Sequence, residues 1–152
     1  YTSSQGLVDG PSSKLRRGRA AAMNLVPTST GAAIATTDVL AEYRGTVDGC
    51  AGRTPVVCGS ISDITIRAGR STTVEEVTAV LKEESESDRY RGILGVTEEP
   101  LVSSDIIGDT HASLVDLSMT QVIDGDLLKI MSWYDNEWGY TGQMMRAALN
   151  ER

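Results

Sequence analysis

The sequence has 152 residues, of which 23% are charged and 40% apolar, an ordinary balance for one folded domain and far from the high-charge, low-hydrophobicity signature of disorder. A formal net charge of -7 excludes a binder that works by neutralising nucleic-acid phosphates with clustered Lys and Arg, so the expected partners are small molecules and proteins. No apolar run approaches the roughly 18 residues of a membrane span, and no membrane role is expected. Cys50 and Cys58 have no partner motif, which speaks for neither a disulfide framework nor a zinc site; no metal is expected, and a reducing cytoplasm fits best. The chain opens on Tyr1 and Thr2 without a methionine, in a polar stretch, and reads as a piece of a longer protein.

Residues 1–29 are rich in Ser, Gly and basic side chains (Lys14, Arg16, Arg17, Arg19) without a sustained apolar period. They are expected to be mostly loop, with a short helix at 20–24, and a loop this long is usually functional. From Thr30 the run TGAAIATTDVLAEYRG places Ala33, Ile34, Thr37, Leu40 and Ala41 on one face and predicts a helix at 31–43, stopped by Gly45. Residues 54–68 are β-branched and partly alternating, which predicts a strand bulged near Gly59. Thr73 and Glu76 have the spacing of a capping box, and Val74, Val77, Val80 and Leu81 form the stripe of a helix running to about Ser85.

Short strands are expected at 93–97, 101–104, 112–119 and 120–123, the last paired with 127–134 across Asp124-Gly125-Asp126, a tight-turn signal. Asn136 to Arg152 has an amphipathic pattern, with Met144, Met145, Ala148 and Leu149 apolar. Strands joined by short turns imply an α+β architecture, a mainly antiparallel or mixed sheet with helices on one face. No repeat or linker marks a second domain.

Three stretches, YTSSQGLVDGPSSKLRRGRAAAMNLVPTSTGAA, GILGVTEEPLVSSDIIGDTHAS and KIMSWYDNEWGY, resemble the phosphorylating glyceraldehyde-3-phosphate dehydrogenases, and the likeness extends through the whole chain in the family's order. The resemblance implies the family's C-terminal domain at 1–135, with an S-shaped subunit-contact loop at 1–24, and a helix at 136–152 that belongs with a Rossmann domain. The family's catalytic cysteine and histidine fall ahead of Tyr1, so no catalytic residue is assigned here, and the chain alone is expected to be inactive. Cys50 and Cys58 are then expected to be small buried hydrophobes, and His111 a hydrogen-bonded structural histidine.

By the same resemblance, Thr2 and Arg53 would hold the C3 phosphate of glyceraldehyde 3-phosphate, and Thr30 with Gly31 a second anion, inorganic phosphate. Independently of it, TSTG precedes a predicted helix whose N-terminal amides suit an anion, although Thr30 taken alone would read as an ordinary N-cap. A planar, permanently charged guanidinium at Arg53 suits a dianion. The family's Arg-Val-Pro-x-Pro-Asn is altered to Arg53-Thr54-Pro55-Val56-Val57-Cys58. Asn136 would hydrogen-bond the nicotinamide carboxamide and Tyr140 would pack beside its ring. Trp133 and Tyr134 are expected to pack in the sheet, and Arg16, Arg17 and Arg19 to make intersubunit or coenzyme-side contacts.

The resemblance therefore implies a homotetrameric, cytoplasmic oxidoreductase using NAD, with NADP not excluded, to convert glyceraldehyde 3-phosphate to 1,3-bisphosphoglycerate. A non-catalytic anion-binding or oligomerisation module and an erythrose-4-phosphate dehydrogenase remain the alternatives.

Overall fold

The computed structural model describes residues 1–149, in two compact units that meet in sequence between Val57 and Cys58. Nothing in composition marks that boundary: the connection through Pro55 has neither a charge run nor a flexible tract.

The first unit is a loop gathered around a two-stranded antiparallel ribbon, β1 (Val26–Ser29) and β2 (Cys50–Arg53), in which Val26 faces Arg53 and Ser29 faces Cys50. The long N-terminal loop is present as expected, punctuated by single 3-10 turns at Leu15–Gly18 and Ala21–Met23. Neither ribbon strand was legible, because VPTS is interrupted by Pro27 and CAGR holds no β-branched residue, and both gain their strand geometry only by pairing. Between them lies α1 (Ala32–Val39), shorter than the predicted 31–43. It ends at Leu40 (φ -109°, ψ 73°), and Ala41–Tyr43 is a separate 3-10 turn. Inside α1 the Thr36 and Thr37 hydroxyls donate to the Ala32 and Ile34 carbonyl oxygens at 2.9 and 3.1 Å. Such bonds compete with the helix ladder, and the β-branched Thr36, Thr37 and Val39 lower the helix propensity of the last turn before the stop.

The second unit is the α+β part. Its sheet has the order β3 (Ser60–Arg67), β6 (Leu127–Tyr134), β5 (Ser113–Ile123), β4 (Leu94–Thr97). β4 and β5 run parallel and the other pairs antiparallel, so the sheet is mixed. The expected strand at 54–68 starts only at Ser60, after Pro55 and a positive φ at Gly59 (87°) have turned the chain. No strand forms at 101–104: Asp105 closes a turn there, its amide donating to the Val102 carbonyl at 2.9 Å and its carboxylate accepting from the Val102 amide at 2.8 Å. The two expected pieces at 112–123 form one strand, β5, with a register irregularity between Asp116 and Gln121. The β5–β6 hairpin turns through Asp124 (φ 51°) and Gly125 (φ 78°), the left-handed pair that a tight primed turn requires.

α2 (Val74–Glu86) lays Val77 and Leu81 over Val115, Leu117 and Ile130 of the sheet, with Leu94 and Val96 beside them. The Thr73 hydroxyl accepts from the Glu76 amide at 3.2 Å, as a capping residue should. The Glu76 carboxylate, however, turns to the Thr72 hydroxyl and the Arg70 guanidinium, so only half of the capping box forms. α3 (Trp138–Ala148) docks on this unit's own loops: Gln143 donates to the carbonyls of Gly92 and Thr110, both at 3.0 Å, and Arg146 to that of Arg91 at 3.0 Å. Its outer positions Trp138, Met144 and Met145, and Leu149 just past its end, stay exposed. The expected extension to Arg152 lies outside the described residues. Among those residues no helix is long and apolar enough to cross a membrane.

Candidate functional site

In the first unit the ribbon register decides which anion-binding candidates meet. Arg53 ends β2 opposite Val26, half-buried, and its guanidinium makes no hydrogen bond or ion pair among the described residues. The main-chain nitrogen of Tyr1 lies 3.2 Å from the Thr54 carbonyl oxygen and 3.0 Å from that of Val56. Thr2 is therefore tethered beside the segment that follows Arg53. Its hydroxyl has one neighbour, the Ser4 hydroxyl at 2.9 Å, and keeps capacity for an anion.

Thr30 and Gly31 belong to the other end. They follow Ser29, which pairs with Cys50, three residue pairs or ~10 Å along the ribbon from Arg53. The Thr30 hydroxyl accepts from the Ala32 amide at 3.2 Å, while Gly31 occupies the N-cap position of α1 and supplies no side chain. Beyond that bond, the first turn of α1 leaves the Ala33 and Ile34 amides without a partner in the helix ladder, at the partial positive charge of a helix N-terminus. One ribbon carries two separate cationic or amide-rich ends, with Thr2 and Arg53 at one and Thr30 and Gly31 at the other.

The ribbon is braced from the loop. Arg17 donates from Nε to the Thr28 hydroxyl at 2.9 Å and from Nη2 to the Ser29 carbonyl at 3.4 Å. Arg19 pairs with Asp9 at 3.2 Å. The Asp9 carboxylate also accepts from the Ala20 amide at 2.7 Å, and this bond, with the Arg19 contact, holds its pKa below the ordinary value. Two of the loop arginines expected to point at partners are therefore already engaged, Arg17 on the ribbon and Arg19 within the loop. Lys14, Leu15, Arg16 and Arg17 face Pro27, Thr28, Ser29 and Cys50 across an open groove of about 690 Å³.

In the second unit Asn136 sits on the stretch joining β6 to α3, and Tyr140 lies in the first turn of α3. Asn136 is exposed, its Oδ1 accepting from the Gly59 amide at 3.1 Å and its Nδ2 donating to the Ser60 hydroxyl at 2.8 Å. Tyr140 is 72% exposed on the first turn of α3, with its ring free to be covered.

The residue that organises this stretch, Asp135, was not singled out from the sequence. It is 1% exposed and accepts from the amides of Gly108, Glu137 and Trp138, each at 2.8 Å, and from the Cys58 thiol at 3.5 Å. Burial pushes its carboxyl pKa up, but the Gly108, Trp138 and Glu137 amides and the Cys58 thiol outweigh burial and leave it below the ordinary value. The signal was present, since Asp135 directly precedes the helix expected from Asn136, where Asp is a capping choice. What the sequence could not show is that Gly108 and Cys58 also converge on it.

His111 is hydrogen-bonded, as expected: its Nδ1 lies 2.9 Å from the Asp109 carboxylate, which also accepts the His111 amide at 2.7 Å. Trp133 and Tyr134 lie in β6, Trp133 reaching the buried Asp116 carboxylate at 3.4 Å. Neither cysteine is a small buried hydrophobe. Cys50 begins an edge ribbon strand and is exposed, and Cys58 is half-buried as a thiol donor to Asp135. Among the described residues no group of His, Cys, Asp and Glu could hold a metal ion.

A family model described as glyceraldehyde 3-phosphate dehydrogenase, C-terminal domain, matches residues 1–136. The glyceraldehyde-3-phosphate dehydrogenase of Mycolicibacterium smegmatis is 49% identical over 144 residues, covering 95% of this chain and 42% of that protein. That of Borreliella burgdorferi is 48% identical over 149 residues, covering 97% of this chain and 44% of the relative. The glyceraldehyde-3-phosphate dehydrogenase 2 of Streptomyces avermitilis is 46% identical over 145 residues, covering 95% and 43%. The chain spans less than half the length of these curated relatives.

Proposed function

The chain belongs to the glyceraldehyde 3-phosphate dehydrogenase family, as its C-terminal domain, and from that premise we propose that it forms the phosphate-holding part of a phosphorylating, NAD-using enzyme that converts glyceraldehyde 3-phosphate to 1,3-bisphosphoglycerate. The observation that carries this reading is the separation of two anion-binding ends on one ribbon, Thr2 with Arg53 and Thr30 with Gly31. A reaction that takes a phosphorylated aldehyde and adds inorganic phosphate needs two such sites held apart.

In this reading the Arg53 fork and the Thr2 hydroxyl grip the phosphate already on the substrate. The Thr30 hydroxyl and the first amides of α1 receive the incoming phosphate. Each fixes one end of the reaction, so that the carbon to be oxidised meets its nucleophile as if in one molecule. The nucleophile and its base come from outside these residues. The nicotinamide coenzyme, when bound, supplies the hydride acceptor, and NAD is the form proposed. Asn136 donates to its carboxamide and Tyr140 covers its ring. Residues 1–135 act as the substrate-binding domain, residues 1–24 as a subunit-contact loop in a cytoplasmic homotetramer, and residues from 136 on pack with the dinucleotide-binding domain.

The test is a KM split measured in the complete enzyme. Arg53→Ala removes a charge-assisted contact and is expected to raise KM for glyceraldehyde 3-phosphate about 10- to 100-fold. Thr30→Val is expected to raise KM for inorganic phosphate about 5-fold. Each variant should leave the other KM within about twofold. Two variants that shift both constants alike, or neither, would sink the two-site assignment.

A further inference from the structure

We propose that Asp135 is a positioning residue for the coenzyme: it acts through Asn136, holding that amide in the one orientation that presents a hydrogen-bond donor. The inference rests on the proposed role of Asn136 and adds a residue that never touches the coenzyme.

The argument starts from what a buried carboxylate needs. Moving the Asp135 carboxylate out of water is strongly unfavourable unless its lone pairs are satisfied, and no cation lies against it among the described residues. It is satisfied by four donors from three separate segments. Oδ2 takes the Gly108 amide, and Oδ1 takes the Glu137 and Trp138 amides and the Cys58 thiol. Ser or Asn would cap α3 equally well. Only a carboxylate offers two acceptor oxygens and no donor, and so binds the start of α3, the 108 turn and the 58–60 segment together.

The consequence falls on the next residue. Asn136 is exposed, and an exposed amide can turn over, exchanging its oxygen and nitrogen. Here the atom facing the Gly59 amide must be an acceptor, so Oδ1 is fixed against Gly59. Nδ2 then gives one hydrogen to the Ser60 hydroxyl and keeps the second free to donate. This discrimination lasts only while residues 58–60 and 135–137 stay in register, and Asp135 ties them through Cys58 on one side and Glu137 and Trp138 on the other. Ladder pairing of Ser60 with Tyr134 brings the strands together, but both strands end there, and beyond them the side chains take over.

The experiment uses the complete enzyme with Asp135→Asn, Asn136→Ala and the double variant. Asp135→Asn keeps the shape but turns a donor toward Gly108 or toward the Glu137, Trp138 and Cys58 donors. It is expected to raise KM for the nicotinamide coenzyme about 10-fold, with KM for glyceraldehyde 3-phosphate and for phosphate within about twofold. The double variant should be no worse than Asn136→Ala alone, because one residue works through the other. Asp135→Asn with a lowered Tm and an unchanged coenzyme KM overturns the inference, and so do effects that multiply in the double variant. Asn136→Ala with an unchanged coenzyme KM overturns the coenzyme reading of Asn136 and this inference with it. Should Asp135→Asn fail to fold, hydrogen exchange on the unaltered enzyme decides: coenzyme is expected to slow the Gly108, Glu137 and Trp138 amides at least 10-fold relative to α2. Unchanged exchange at those three amides overturns it.

Discussion

The two units of this chain are held together by different means. Between Tyr1 and Val57 the buried apolar side chains are Ala21 and Val26, and order comes from polar ties: Arg17 on Thr28, Asp9 on Arg19 and Ala20, and Tyr1 on Thr54 and Val56. From Cys58 on, Ile106, Val115, Leu117 and Ile130 are buried, and α2 closes over three of them. The proposed anion-binding residues all ride on the unit with almost no core. Side chains that must meet a charged ligand need solvent-reachable donors, and loops braced by hydrogen bonds supply these where a packed sheet would hide them. His111 and Trp133, conspicuous by type, both belong to the packed unit.

The largest expected effect sets the two cores against each other. Leu117→Ala removes a buried leucine under α2 and is expected to cost about 3 kcal/mol, read as a loss in denaturant midpoint at constant slope. Native-state hydrogen exchange should run the same way, with the amides of β5 and β6 the slowest in the chain and those of β1 and β2 faster. A ribbon as protected as β5 would break the comparison.

A smaller effect tests the half-formed capping box. Thr73→Ala removes the acceptor of the Glu76 amide and is expected to cost about 1 kcal/mol in thermal or denaturant unfolding. Glu76→Gln should leave that cap bond intact, because the Glu76 side chain serves Arg70 and Thr72 instead.

The smallest effect is electrostatic. The Arg70 guanidinium and then the Thr72 hydroxyl pull the Glu76 carboxyl down to about 2. A depressed folded pKa means that any stability Glu76 lends is complete above the ordinary carboxylate range and is lost as pH falls toward about 2. Because the pair is exposed, salt should screen most of it. An NMR titration of the Glu76 side chain checks this: a midpoint near 4 would show that the Arg70 contact is not formed in solution.

Several elements were legible in the sequence for local reasons. α2 was readable because its apolar spacing and capping threonine agree, and the β5–β6 hairpin because Asp124-Gly125 can adopt the left-handed geometry such a turn needs. The phosphate candidates Thr2, Thr30, Gly31 and Arg53, and the coenzyme candidates Asn136 and Tyr140, came from resemblance in three motifs. The local signal at Thr30 alone was that of a helix cap. The sequence by itself determined the α+β class and the candidate site residues, since periodicity, turn chemistry and motif are properties of neighbours along the chain. Only the tertiary structure decided the rest: that VPTS and CAGR pair as a ribbon, that its register keeps Arg53 and Thr30 at opposite ends, that Cys50 is exposed, and that Cys58, Gly108 and the start of α3 converge on Asp135. Each depends on hydrogen bonds between residues far apart in sequence, whose energy exists only once the fold has brought the partners together.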